Sequence, residues 1–199
     1  MTKTIQFLLT FLLVLGYLRG ESFAKPDATD LWSRLAQGGV AVFIRHALAP
    51  GFGDPPTFKP GDCSTQRNLS DAGRQQARQI GAAFRQHSIA IDKVYTSEWC
   101  RCQETAGLLG LGPVTPLPIL NSFFETRERE KDQTEALTRF LKTTPISNVI
   151  VFVTHQVNIT ALTGVYPASG EAVVVEIRNA NTLCVLGALP FSQNQIRKQ

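Results

Sequence analysis

Two short runs constrain this chain more than anything else in it: Val-Ala-Val-Phe-Ile at 40–44 and Val-Ile-Val-Phe-Val at 149–153. Both are continuously apolar and rich in β-branched side chains. Neither shows the polar alternation of a strand with one wet face, so both predict strands buried on both sides. Each run stops on a polar pair, Arg45-His46 in the first and Thr154-His155 in the second. A sheet buried on both sides needs helices over both faces, and the segments around the runs have to supply them.

The spacing of Leu31, Trp32 and Leu35 predicts an opening helix over 27–37, ended by Gly38-Gly39. Ser70 caps a second helix with Asp71 in its first turn; Ala72, Ala77, Ile80, Ala83 and Phe84 carry its apolar side to an end near His87. A strand over 89–95 leads into a helix opening at Thr96 or Ser97 and running to about Leu109. A short strand is expected within 113–120, irregular chain over 121–131, a helix over 133–141 and another from after His155 to Leu162. Strands over 172–177 and 183–189, joined by an Asn-rich turn, close the chain. With no internal repeat or linker, this order predicts one α/β domain: a three-layer sandwich with a mostly parallel central sheet flanked by helices.

With 199 residues, 43% hydrophobic and 18% charged, the chain has the composition of a folded domain. The net charge of +4 comes from scattered Arg and Lys with no block of like charge, which reads as a solvated basic surface and not as a nucleic-acid site. Lys3 and the apolar run 7–18, too short to span a bilayer, predict a signal peptide. Small residues at Ser22 and Ala24 predict cleavage after Ala24, leaving a single domain over 25–199 with no stable membrane anchor and a formal charge of +3 after loss of Lys3, Arg19 and Glu21. The mature chain is then periplasmic or secreted. In that oxidising setting Cys63, Cys100, Cys102 and Cys184 predict a disulfide, with three full pairings open. A bridge from Cys63 to Cys100 or Cys102 would tie two loops together. The Cys-x-Cys spacing does not suit zinc.

Ligands of open α/β sheets bind beyond the carboxyl ends of the strands. Two of the chain's three histidines, His46 and His155, stand at such ends, and so does the turn after the strand at 89–95. On a helix, Ser97, Arg101 and Thr105 in that turn share one face. The Gly- and Pro-rich segment 47–68 is long for a loop inside a compact domain and is therefore read as functional. His87, at a helix end, is read as structural.

Four blocks in this order resemble the histidine phosphatase superfamily, which includes the cofactor-dependent phosphoglycerate mutases. The Arg-His-Gly hallmark stands as Arg45-His46-Ala47. Leu-Ser-x-x-Gly-x-x-Gln-Ala is met by Leu69, Ser70, Gly73, Gln76 and Ala77. Ser-x-x-x-Arg-x-x-x-Thr-Ala is met by Ser97, Arg101, Thr105 and Ala106, and the buried strand ending in His by His155. The block 153–160 looks like the small secreted bacterial branch. The resemblance implies an exported phosphatase acting on a small phosphorylated substrate, with His46 as nucleophile and Arg45, Arg101 and a protonated His155 binding the phosphoryl group. Neighbouring guanidinium charges should lower the pKa of His46, and a backbone carbonyl should fix its second nitrogen. The chemistry requires no metal and no cofactor.

Two departures from the family pattern matter. Ala47 replaces the usual Gly, which is tolerable where φ is not positive. The acid that protonates the leaving group is out of place: Gln156 follows the second His, and Glu125 comes a few residues late. Glu125 is the candidate acid, with Glu98 and Asp54 as rivals. Arg67, Gln66 and Asn158 are candidate substrate-binding residues. A phosphomutase and a non-catalytic phosphate-binding scaffold are the competing functions.

Overall fold

The computed structural model describes residues 28–178 and 182–191. The expected signal peptide and the Asn-rich turn, at 179–181, lie outside the described residues. In chain order the elements are α1 (Ala28–Ala36), β1 (Val40–Arg45), α2 (Asp71–Gln86), β2 (Ile91–Thr96), α3 (Cys100–Leu109), β3 (Val114–Pro116), α4 (Glu130–Thr143), β4 (Val149–Thr154), α5 (Gln156–Thr163), β5 (Ala172–Arg178) and β6 (Thr182–Leu189).

The strands form one sheet in the order β3-β2-β4-β1-β5-β6. β3, β2, β4 and β1 run parallel, and β5 and β6 add an antiparallel edge. The two apolar runs are the central neighbours β1 and β4, paired in register from Val40 with Val149 to Arg45 with Thr154. Alternate side chains of β1 enter different cores. Val40, Val42 and Ile44 pack with Leu31 and Leu35 of α1, Ile80 and Phe84 of α2, and Ala106 and Leu109 of α3. Ala41 and Phe43 pack with Leu137 and Leu141 of α4 and Ile159 of α5. Two cores with one sheet between them make the three layers, and they explain why neither run carries a polar residue.

Two helix starts differ from the sequence reading. α3 begins at Cys100 with Trp99 as its N-cap, not at Thr96 or Ser97. The Ser97 hydroxyl accepts a 3.3 Å bond from the Trp99 N–H, and Asn121 accepts a 2.9 Å bond from the Glu98 N–H, so 97–99 is held as a turn. Ser97 therefore does not share a helical face with Arg101 and Thr105. α4 begins at Glu130, three residues early, with Glu130 and Asp132 facing the positive end of its dipole. Most of 47–68 is irregular as expected, with one 3-10 turn at Cys63–Thr65.

Candidate active site

Three parallel strands deliver the site at one edge of the sheet. Arg45 is level with Thr154, and Thr96 with Val153, so the next residues, His46, His155 and Ser97, emerge side by side. The His46 N–H donates to the Thr154 carbonyl and the Ser97 N–H to the Val153 carbonyl, each at 2.9 Å. The two imidazoles lie 5.6 Å apart between centroids, and both residues are 3% exposed. They stand in a cavity of about 730 Å³ with Arg45, Arg67 and Arg101 in its wall.

His46 Nδ1 is 2.8 Å from the Ala47 carbonyl oxygen. A carbonyl only accepts, so Nδ1 carries the proton and Nε2 presents a lone pair. Burial, then the charge of Arg101, lowers the His46 pKa to about 3; Arg67 and Arg45 add to the effect and the bond to Ala47 opposes it. The ring is a neutral base with one defined free nitrogen.

His155 belongs to a directed chain of hydrogen bonds. Arg101 Nη2 lies 3.5 Å from Nδ1 and can only donate to it. Nε2–H then donates to the Ser97 hydroxyl at 2.9 Å, Ser97 donates to Asn121 Oδ1 at 3.2 Å, and Asn121 donates to the Glu98 carboxylate at 2.7 Å. Burial, then Arg101 and His46, holds the His155 pKa well below its ordinary value. This corrects the expectation of a protonated His155, because in the free protein that ring is neutral. Cys102 Sγ sits 3.5 Å from its Nε2, and burial pushes that thiol up to about 12, so it stays protonated and is no nucleophile.

The guanidinium groups are only partly matched by acceptors. Arg45 donates to the Pro167 carbonyl at 3.0 Å. Arg67 donates to the Gly53 and Ala49 carbonyls at 2.7 and 2.5 Å, bracing the loop that follows β1. Arg101 pairs with Asp54 at 2.7 Å. The buried Nε of Arg45 and of Arg101 have no hydrogen-bond partner among the described residues. With four arginines against the two carboxylates Asp54 and Glu125 in its lining, the site favours an incoming anion.

Structure also explains the two middle sequence blocks. The Ser70 hydroxyl accepts a 3.1 Å bond from the Gly73 N–H and so caps α2. Gly73 lets α2 approach the chain just past His46: a Cβ there would stand 2.1 Å from the Leu48 carbonyl oxygen. The Gln76 amide accepts from the Leu48 N–H at 3.0 Å and donates to the Ser169 and Phe191 carbonyls at 2.8 and 2.9 Å. Thr105 accepts from the Ala47 N–H at 3.0 Å and donates to the Arg101 carbonyl at 2.6 Å, linking the residue after His46 to Arg101. Ala47 is fully buried against Ala49, Leu69 and Ala77, and Ser88 is the one non-glycine with positive φ among the described residues, so the methyl at Ala47 is accommodated.

The candidate carboxylates separate by position. Glu125 is exposed on the cavity wall, with Oε1 3.1 Å from where a Cβ on Gly53 would stand. Glu98 does not line the cavity and is engaged by Asn121. Burial alone would raise the Asp54 carboxyl, but bonds from Arg101, the Arg67 N–H and the Trp99 indole hold it below its ordinary value. Gln66 and Asn158 correct the sequence reading, because neither lines the cavity. The Gln66 amide accepts from the Cys100 N–H at 3.0 Å and donates to the Lys59 carbonyl at 3.1 Å. Asn158 donates to the Asn121 carbonyl at 2.9 Å. His87 stacks on Trp32 at 4.2 Å, a structural contact far from the cavity lining. Sequence reasoning missed the Asn121 relay and the pairing of Asp54 with Arg101, since each depends on a loop residue, Asn121 or Asp54, that carries no periodic signal.

A family model described as the Histidine phosphatase superfamily (branch 1) matches residues 42–130. The mitochondrial serine/threonine-protein phosphatase Pgam5 of Drosophila virilis is 30% identical over 95 residues, 45% of this chain and 32% of that protein. The chain thus spans about a third of the length of that curated relative. Three solved structures share the fold. A putative alpha-ribazole-5'-P phosphatase of Escherichia coli has a TM-score of 0.57 at 19% identity, covering 74% of this chain and 95% of its own. The protein histidine phosphatase SixA complexed with tungstate has a TM-score of 0.55 at 14% identity, covering 76% and 97%. Phosphoserine phosphatase of Entamoeba histolytica with 3-phosphoglyceric acid has a TM-score of 0.54 at 14% identity, covering 77% and 98%.

Proposed function

We propose that this chain, whose residues 42–130 match the Histidine phosphatase superfamily (branch 1) model, is an exported, metal-independent phosphatase working through a phosphohistidine on His46. The observation that carries this reading is the state of His46: Nδ1 bonded to a carbonyl, Nε2 unprotonated, a pKa of about 3, and three guanidinium groups around the same cavity.

Nε2 of His46 attacks phosphorus, and the bond from phosphorus to the leaving oxygen breaks with its electron pair going to that oxygen. Arg45 and Arg101 hold the equatorial oxygens with forked donors, and Arg67 adds positive charge at the wall. Nδ1 of His155 becomes a donor only once the phosphoryl dianion arrives, because that charge raises the pKa that burial and the cations lower. Glu125 gives the leaving oxygen its proton, and the same carboxylate then takes a proton from the water that releases phosphate and restores neutral His46. These cations supply the charge stabilisation for which other phosphatases use a metal.

Export is supported by the disulfide between Cys63 and Cys100, a bond that persists in oxidising compartments. No helix among the described residues is long and apolar enough to cross a membrane. The substrate class is a small phosphomonoester; the phosphoserine phosphatase and the α-ribazole phosphate phosphatase it resembles in fold are named for such compounds.

Turnover of aryl phosphates by the purified protein tests the reading. EDTA-resistant hydrolysis that disappears in His46→Ala is expected, and undiminished hydrolysis in that variant contradicts the mechanism. Across a series of leaving groups, Glu125→Gln should slow poor leaving groups most; equal slowing of all would remove Glu125 from the acid role.

A further inference from the structure

The cavity is several times larger than a phosphoryl group needs, and its outer part differs in kind from its floor. The floor is cationic and buried. The lining beyond it carries five aromatic rings, Phe52, Phe58, Trp99, Phe124 and Tyr166, of which Trp99 reaches within 5.4 Å of the His155 ring. Phe58 lies near-parallel to Trp99 at 5.0 Å, and Phe52 meets Phe124 edge-on at 4.9 Å.

Two of these rings sit where folding alone does not put them. Phe52 is 86% exposed and Tyr166 is 73% exposed, the two most exposed large hydrophobic side chains among the described residues. They come from different segments, the loop after β1 and the connection from α5 to β5, yet both border the same cavity. Phe52 is flanked by Gly51 and Gly53, with φ of +93° and +63°. That left-handed backbone is available to glycine and holds the Phe52 ring up at the lip. Exposed apolar groups gathered at one cavity mark a place where something apolar binds.

Ring chemistry narrows what that is. Aromatic faces are electron-rich and edges electron-poor, so ring walls gain more from another flat ring than from a saturated body of equal size. Arg129 adds a cation to the same lining, and Arg127 already sits over the Phe124 ring at 5.2 Å. Resting on the phosphatase reading above, we infer that the leaving group is an alcohol carrying a flat aromatic ring, seated against the Phe52–Phe124 pair and Tyr166 while its phosphate lies on His46.

The test holds the leaving oxygen constant and changes only the body. 2-Phenylethyl phosphate, 2-cyclohexylethyl phosphate and glycerol phosphate are compared as substrates of the purified full chain. KM for the phenyl compound should be lower than for either other ester by about fivefold, the size of a ring–ring preference. Phe52→Ala should shrink that advantage to less than about twofold, and Phe52→Tyr should retain it. Phosphotyrosine and adenosine monophosphate, added as further arms, tell a phenolic source of the ring from a nucleoside one. Equal KM for the phenyl and cyclohexyl esters overturns the inference and leaves the phosphatase reading standing. Hydrolysis of none of them, with no phosphoryl group on His46, overturns the reading on which the inference rests.

Discussion

Asp54 occupies Arg101 in the free protein: its Oδ1 accepts a 2.7 Å bond from Nη1, with the side chains 4% and 11% exposed. The same carboxylate accepts from the Arg67 N–H at 3.1 Å and the Trp99 indole at 3.1 Å. One loop residue thus sets the Arg101 guanidinium and the aromatic wall together. It also offsets part of the positive charge that a phosphoryl group must find. Asp54→Asn should therefore tighten inhibition by inorganic phosphate several-fold while leaving Trp99 less ordered, read as a lower Ki and a changed Trp fluorescence. Asp54→Ala should destabilise the protein by roughly 3 kcal/mol, because a buried guanidinium loses its partner. Added phosphate should restore much of that loss of Tm.

Both site histidines are held neutral by burial and by nearby guanidinium groups. Each therefore binds a proton in the unfolded chain below pH of about 6.5 that it refuses in the folded one. Stability from these groups is fully present above that pH and falls as pH drops toward the folded value, which for His46 is about 3. The slope is about 1.4 kcal/mol per pH unit for each ring within that window. NMR of the ring carbons should show His46 flat from pH 8 to about 4.5 and His155 with no midpoint near its ordinary value. A midpoint near the ordinary value for either ring contradicts this electrostatic account.

Anion binding should reverse the state of His155. Tungstate remains a dianion at neutral pH, so any proton taken up on its binding goes to the protein. Calorimetry in buffers of different ionisation enthalpy should give an uptake approaching one proton at pH 7, lost in His155→Gln. No uptake would mean that His155 stays neutral under the anion.

The disulfide between Cys63 and Cys100 closes a 37-residue loop that carries Asp54's neighbours and ends one residue before Arg101. Replacing both cysteines with serine should cost about 4 kcal/mol by the chain-entropy relation. KM should rise more than kcat falls, since the loop shapes the wall while His46 stands on the sheet. Reductant should reproduce these effects in the native chain and change nothing in the double variant.

Two glycines on packed helices should respond in opposite directions. Gly73→Ala places a methyl 2.1 Å from the Leu48 carbonyl oxygen and should destabilise by about 2–3 kcal/mol. Gly107→Ala, in an exposed position of α3 with nothing within 4 Å, should stabilise by about 0.5–1 kcal/mol. Thermal or urea unfolding measures both.

The sheet and the deepest part of the site were legible because they rest on local patterns. Val40 to Ile44 and Val149 to Val153 are apolar without interruption, and each ends on the histidine that the sheet delivers to the site. The position of α2 could be read from Ser70 and the apolar residues behind it. The purposes of Gly73 and Gln76 could not, since both serve a contact with Leu48 more than twenty residues away. The spacing of Ser97 to Arg101 predicts a helix, yet its hydroxyl is engaged by His155 and Trp99 and the helix starts later. Gln66 and Asn158 were polar residues near the right motifs, but both proved to brace backbone outside the cavity. The lowered pKa of His155 depends first on burial and then on Arg101 and the other charges around it, which only the fold brings together.

The most direct measurement is to trap the phosphorylated protein during turnover of an aryl phosphate and locate the modification by peptide mass spectrometry. One phosphoryl group should appear on His46, labile to acid and stable to base, and it should be absent in His46→Asn with the fold retained. A phosphoryl group on any other residue, or steady turnover with no phosphorylated species in rapid-quench samples, would contradict the mechanism.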